Sequence, residues 1–336
     1  MNIRKNTIIY VGCPAFNKTG GTELAHQLVR EINELGGHAK ILYYDITVKN
    51  NAETVNPAFR NYVDSYSIIK DVDDVADNVL VAPEINIQML DNFDNIQKVI
   101  WWMSVDNFLK TNGFSNAVKF YGRFKAVKLL LKRRISILKK TLSNDILHLY
   151  QSEYAREFLA NNGISNSKRL SDYLNSVYLD TADVSFENRE NNVLYNPKKG
   201  IDFTQKLISA YPNYNWVPIQ NMSNTEVRSL LLRSKVYIDF GNHPGKDRFP
   251  REAAISGCCI ITGMDGSAKN NVDICIPKKY KIKAEDKNIP RIISVVDDCL
   301  QSYNTKIDDF SQYRKVILLE KENFKDDVKN IFAKDF

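Results

Sequence analysis

The chain has 336 residues, 43% hydrophobic and 26% charged, a composition that excludes large-scale disorder and gives enough length for two cores. No run approaches eighteen apolar residues, and the apolar stretch near the N-terminus is too short for a signal peptide, so a cytoplasmic protein is expected. The net charge of +6 is local: residues 110–140 hold ten Lys or Arg and no Asp or Glu, which leaves the remainder at −4 and argues against a nucleic-acid partner.

Thr7–Gly12 is a continuous apolar run suited to a buried parallel strand. A loop ending in Gly20-Gly21 follows, then a helix whose Leu24, Leu28, Ile32 and Leu35 share one face and which Gly36-Gly37 ends. With a second strand at Ala39–Tyr44 this is a βαβ start. Glycines before a helix let the backbone approach a phosphate, though a tight strand-to-helix turn explains them equally well. The loop is neither GxGxxG nor a Walker loop, and only Asp45 stands near the end of the second strand. A nicotinamide enzyme is therefore disfavoured.

Further strands are predicted at Val79–Ala82, Lys98–Met103 and Ile146–Tyr150, the last followed by a helix through Leu159. The second of these strands runs into Trp101-Trp102-Met103-Ser104-Val105-Asp106. Aromatic faces suit sugar rings, and a carboxylate there suits orienting or deprotonating a hydroxyl. Trp101, Trp102, Asp106 and His148 are thus acceptor-side candidates, with core packing and helix capping as the plainer alternatives.

Between these strands lies the basic segment, with Phe120, Phe124, Val127, Leu131, Ile135 and Leu138 at helical spacing. A helix over Ala117–Lys140 is expected. Two destinations for its apolar face stay open: an anionic membrane interface, or the chain's own domain with a solvated basic face opposite. Single-stranded nucleic acid is disfavoured because aromatics are few.

A second series begins near Asn192, with strands at Val193–Tyr195, Trp216–Ile219, Val236–Phe240, Cys258–Thr262 and Val272–Ile276. Helices fall at Asp202–Tyr211, Thr225–Ser234 and Pro250–Ser256, and Ser223-x-x-Glu226 is a capping box. Long helical patterns at Ile289–Tyr303 and Ser311–Ala333 follow. The alternation predicts an α/β chain of two doubly wound, Rossmann-like domains facing a cleft. Their bounds are set at 1–175 and 176–310, with 311–336 a helix packing back on the first domain.

Such sheets bind ligands beyond the carboxyl ends of their strands, which directs attention to residues 13–22, 83–87, 104–108, 196–200 and 241–251. Asn196-Pro197-Lys198-Lys199-Gly200 sits between a strand and a helix, where lysines can hold a diphosphate without metal. The richest loop is Gly241-Asn242-His243-Pro244-Gly245-Lys246-Asp247-Arg248-Phe249-Pro250-Arg251-Glu252, with Pro250 suited to a first helical position and Glu252 to a first turn. So many polar groups between two apolar strands are hard to explain by packing. Cys13, Cys258, Cys259, Cys275 and Cys299 have no metal spacing, and none of the four histidines pairs at i,i+4. No metal and no cofactor are expected.

Glu252-Ala253-Ala254-Ile255-Ser256-Gly257-Cys258-Cys259-Ile260-Ile261 resembles the E-A-x-A-x-G-x-P-V-I segment of GT-B-fold glycosyltransferases of the large retaining class. Gly20-Gly21-x-Glu23, the Pro197–Gly200 turn and Tyr150-Gln151-Ser152-Glu153-Tyr154 sit where that family has matching features. The resemblance implies a metal-independent enzyme of bacterial surface-glycan type, moving sugar from a nucleoside diphosphate sugar to a saccharide or lipid-linked saccharide. It implies that Glu252 binds the ribose and that Gly20, Gly21, Asn196, Lys198, Lys199, His243, Lys246 and Arg248 hold the donor. Lys199, Arg248 and Asp106 are then the catalytic candidates. The family's earlier glutamate, eight residues before Glu252, is replaced by Pro244. That departure keeps a second reading open, an inactive nucleotide-sugar-binding or scaffold protein.

Overall fold

The computed structural model describes residues 1–44, 46, 55–63, 65–131 and 142–333. Asp45 and the part of the expected basic helix beyond residue 131 lie outside them. The chain forms two compact units: Met1–Asp172 with the chain from Glu322 onward, and Tyr173–Lys321.

The first unit is built in the order β1 (Ile8–Pro14), α1 (Gly20–Glu34), β2 (His38–Tyr44), β3 (Tyr66–Ile68), β4 (Val79–Pro83), β5 (Gln97–Trp102), α2 (Val105–Thr111), α3 (Phe114–Tyr121), α4 (Arg123–Leu131), β6 (Leu147–Tyr150), α5 (Glu153–Asn161) and β7 (Ser167–Arg169). The strands make one sheet, ordered β3-β2-β1-β4-β5-β6-β7, in which every pair is parallel. Runs such as Val79–Pro83, buried throughout, form its interior because a parallel sheet is covered on both faces. Thr19 caps α1, exchanging hydrogen bonds with Thr22.

The second unit contains α6 (Ser176–Leu179), β8 (Glu190–Tyr195), α7 (Ile201–Ala210), β9 (Asn215–Pro218), α8 (Asn224–Arg233), β10 (Ser234–Asp239), α9 (Arg248–Ile255), β11 (Cys259–Thr262), α10 (Ile289–Gln301), α11 (Tyr303–Lys306) and α12 (Ser311–Leu318). Its parallel sheet is ordered β11-β10-β8-β9. Ser223 and Glu226 form the expected capping box on α8. Helix α13 (Glu320–Phe332) begins in this unit and continues in the first.

Four expectations are corrected. Val272–Ile276 is not a strand, because Asn270 Oδ1 accepts from the N–H groups of Val272 and Asp273 and turns the chain. The basic helix is broken at Gly122, whose φ of +76° lies in the left-handed region. Residues 311–333 form two helices rather than one. Helix α9 starts at Arg248, so Pro250 is its third residue and Glu252 lies past its first turn.

Candidate functional site

In the second unit the strand order changes direction between β8 and β10, and the loops following these two strands meet there. The approach is close at the backbone: a Cβ on Gly200 would lie 2.4 Å from the Phe240 carbonyl oxygen, and one on Gly241 2.6 Å from Lys199 Cβ. Gly200 also has φ +60°, so glycine is required there twice over. Asn196 is buried and accepts the Lys198 N–H on Oδ1 at 3.0 Å, which folds this loop into a turn. Lys198 is left exposed, while Lys199 reaches the other loop and pairs with Asp247 at 2.7 Å.

His243 has no exposed surface and stands between two carboxylates. Its Nε2 is 3.6 Å from Asp239 Oδ1, and its Nδ1 is 2.9 Å from Asp247 Oδ2, an ion-pair distance without hydrogen-bond alignment. Burial opposes charge on the ring, but Asp247 and then Asp239 outweigh it and raise its pKa above the usual histidine value. Asp247 is likewise pushed up by burial, yet His243 and Lys199 hold it below the ordinary range. Asp239 is fixed in turn, accepting from the Tyr237 hydroxyl at 2.9 Å and the Gly241 N–H at 3.0 Å.

Asp239, His243 and Asp247 each offer a ligand atom within 4.8 Å of the others, so the set invites comparison with a metal centre. The geometry fits a proton better. The two carboxylates address opposite ring nitrogens, of which only one can face a given ion, and Lys199 already holds Asp247.

The rest of the loop is clamped from both sides. Ser267 donates its N–H to the His243 carbonyl (2.9 Å) and its hydroxyl to that of Gly245 (2.6 Å). Arg251, fully buried, donates to the carbonyls of Lys246 and Asp247 and to Glu320 Oε2 at 2.7 Å. Lys246 pairs with the other oxygen of Glu320 at 2.8 Å. Glu252 is buried beside the Tyr178 hydroxyl, whose pKa is raised first by burial and then by that carboxylate, while Arg248 acts in the opposite sense.

In the first unit the strand order changes direction between β1 and β4. Beyond β1 lie Gly20 and Gly21, the first residues of α1, and a Cβ on Gly21 would meet Met103 Sδ only at an ordinary 3.7 Å. Beyond β4 lies Glu84, which sequence reasoning did not single out. Its carboxyl is buried, accepts from the Met103 N–H at 3.1 Å, and is pushed up by burial to about 8. It lines a small recess with Gln88, Phe108, Thr111 and Asn112. A carboxyl that titrates near neutrality suits proton transfer.

Asp106, on the first turn of α2, accepts from the Tyr154 hydroxyl at 2.9 Å. It is not the cap of that helix; Ser104 is. Trp101, Trp102 and His148 are corrected from acceptor-binding to core residues. Both indoles are buried, Trp101 donating to the Leu170 carbonyl and Trp102 to His148 Nδ1 at 2.9 Å, and His148 Nε2 meets the Ser143 carbonyl at 3.0 Å. No ring face remains for a sugar.

No protein-family model and no curated protein matches the chain. Solved structures do. HepE of Anabaena, in complex with UDP-glucose, is 10% identical over 97% of this chain and 99% of that one, with a TM-score of 0.62. TarM is 11% identical over 95% and 99%, with a TM-score of 0.60. For a mutant of S. aureus TarM, in complex with fondaparinux, α-GlcNAc-glycerol and UDP, the match is 13% identical with a TM-score of 0.54. It covers 78% of this chain but only 55% of that one. At these identities the likeness is one of fold: two Rossmann-like units of the GT-B glycosyltransferase type.

Proposed function

We propose that the chain is a glycosyltransferase that moves a sugar from a nucleoside diphosphate sugar to a saccharide, free or lipid-linked, in bacterial surface-glycan assembly. The observation that carries this reading is the clamped cationic loop pair at the switch point of the second unit. Residues 196–200 and 239–252, together with Glu320, bring six cationic side chains when His243 is protonated: Lys198, Lys199, His243, Lys246, Arg248 and Arg251. Against them stand four carboxylates, Asp239, Asp247, Glu252 and Glu320. The excess of two matches what a diphosphate brings, so no metal is called for.

In this mechanism Lys198, Lys199 and Arg248 meet charge as it grows on the departing diphosphate, a preorganised arrangement that favours the transition state over the bound donor. Asn196, His243 and Lys246 hold the loops in place, Gly20 and Gly21 offer backbone N–H groups, and Glu252 accepts from ribose hydroxyls. On the acceptor side Asp106 orients or deprotonates the incoming hydroxyl, and transfer retains the anomeric configuration.

Thermal-shift titration with UDP, GDP, CDP and ADP tests donor binding, since a ligand at a hundred times its Kd stabilises by about 2.7 kcal/mol. Glu252→Ala should abolish the shift while leaving the apo protein folded. Arg248→Ala and Lys199→Ala should lower turnover at saturating donor, and EDTA should leave turnover intact. No shift with any nucleotide would sink the proposal. Pro244, in place of a donor-sugar glutamate, favours a non-catalytic nucleotide-sugar-binding protein as the second reading. Binding without donor hydrolysis or transfer would select it.

A further inference from the structure

Helix α4 carries apolar side chains on two opposite faces. At 100° per residue, Ala126, Leu129 and Leu130 lie together, and they pack with Phe114, Ala117, Val118 and Tyr121 of α3. Phe124, Val127 and Leu131, at i, i+3 and i+7, make the other face, and they are 96%, 43% and 80% exposed. Packing on the domain is thus satisfied by one face and explains nothing about the second. Arg123 and Lys128 flank the exposed apolar stripe on either side, and Lys125 stands on the solvent side as well. Gly122, at φ +76°, lets the chain turn between α3 and α4, so α4 is set apart as its own short element. Among the described residues no helix is long and apolar enough to cross a membrane.

We propose that α4 is a docking face for an anionic phospholipid bilayer, with Phe124, Val127 and Leu131 entering the interface and Arg123, Lys125 and Lys128 meeting lipid phosphates. Charge decides the occupant. The basic stretch of residues 110–140 has ten Lys or Arg and no acidic residue, while the rest of the chain is net −4, so the chain's positive excess sits in the segment that carries the exposed apolar stripe. A second copy would bring the same positive face and repel it. Single-stranded nucleic acid needs stacking platforms, and Phe124 is the one aromatic on α4. The inference does not rest on the proposed catalytic function.

Co-sedimentation of the full chain with phosphatidylglycerol/phosphatidylcholine vesicles, and with pure phosphatidylcholine vesicles, tests it. The protein should sediment with the anionic vesicles only, and less so as salt shortens the Debye length. Phe124→Asp with Leu131→Asp should abolish sedimentation. Arg123→Gln with Lys125→Gln and Lys128→Gln should lower partitioning on the order of a hundred-fold. Both variants should keep the wild-type circular dichroism and melting temperature, because every altered side chain is exposed. Nucleoside diphosphate binding should be unchanged in both, which separates this test from that of the catalytic reading. Equal sedimentation with neutral vesicles, none with anionic vesicles, or retention by the double Asp variant would overturn the proposal. So would a concentration-dependent dimer or oligonucleotide binding in the absence of vesicle binding.

Discussion

His148 in the first unit and His243 in the second have no exposed surface, yet their surroundings move their pKa values in opposite directions. His148 meets a Trp102 N–H on one nitrogen and a Ser143 carbonyl on the other, which suits a neutral imidazole that accepts at Nδ1 and donates at Nε2. Burial lowers its pKa, and the backbone carbonyl only partly resists. His243 meets a carboxylate at each nitrogen, and the same burial penalty is overcome. Burial lowers the pKa of both rings, and only where carboxylates stand at the nitrogens is that penalty outweighed. The first arrangement holds a sheet together; the second keeps charge ready next to a loop of lysines and arginines.

The sharpest way to break this contrast is to remove the charge that anchors the second unit's loop. Arg251→Ala leaves Glu320 buried without its Arg251 pairing, beside Lys246, and frees two loop carbonyls. Breaking a buried pair on one side costs about 3 kcal/mol or more. Urea unfolding followed at Trp216, the tryptophan of this unit, should show that loss. A change within about 0.5 kcal/mol would mean the clamp contributes nothing.

Glu84 gives the next effect. Its folded pKa, about 8, lies above the ordinary value of 4.5, so stability falls as pH rises between the two. Glu84→Gln removes the titration. The variant should match the wild type near pH 5 and exceed it near pH 8, each unit of separation being worth about 1.4 kcal/mol. A parallel pair of pH–stability curves would show that the carboxyl is not buried as described.

These two residues also mark what the sequence could reveal. The alternation of apolar strands with periodic helices exposed both sheets, and the crowding of polar residues after Val236–Phe240 exposed the loop that Arg251 clamps. Glu84 escaped because one glutamate after a strand forms no motif; only burial makes it unusual. Asp106 and Tyr154 are 48 residues apart and meet only through the sheet. The strands Tyr66–Ile68 and Ser167–Arg169 are short edge strands with polar residues, paired on one side, so they lack an apolar signature. Helical spacing runs unbroken across Gly122, which hid the separation of α3 from α4. Trp101 and Trp102 at the end of a strand invite an acceptor role, yet both are buried, as expected of a parallel sheet covered on both faces.

That last point can be tested directly. Trp102→Phe keeps most of the apolar ring but removes the N–H that meets His148 Nδ1, leaving a buried acceptor unpaired at about 1–2 kcal/mol. Thermal unfolding should report the loss, while KM for a saccharide acceptor stays at the wild-type value. A raised KM with unchanged stability would return Trp102 to the acceptor site.

The smallest expected effect is one of sign. His148 has a lowered folded pKa, so its stabilising contribution is present above the unfolded value of 6.5 and is lost as pH falls through the folded one. His243 has a raised folded pKa, so its contribution is complete below 6.5 and is lost as pH rises through the folded one. The stability gap between wild type and His148→Gln should therefore shrink on acidification towards about pH 5. The gap between wild type and His243→Gln should shrink on moving towards about pH 9. Trp102 reports the first unit and Trp216 the second, so fluorescence-detected urea unfolding across that range separates the two. Gaps that move in the same direction would erase the difference between the two histidines, and with it the upward shift that Asp239 and Asp247 give His243.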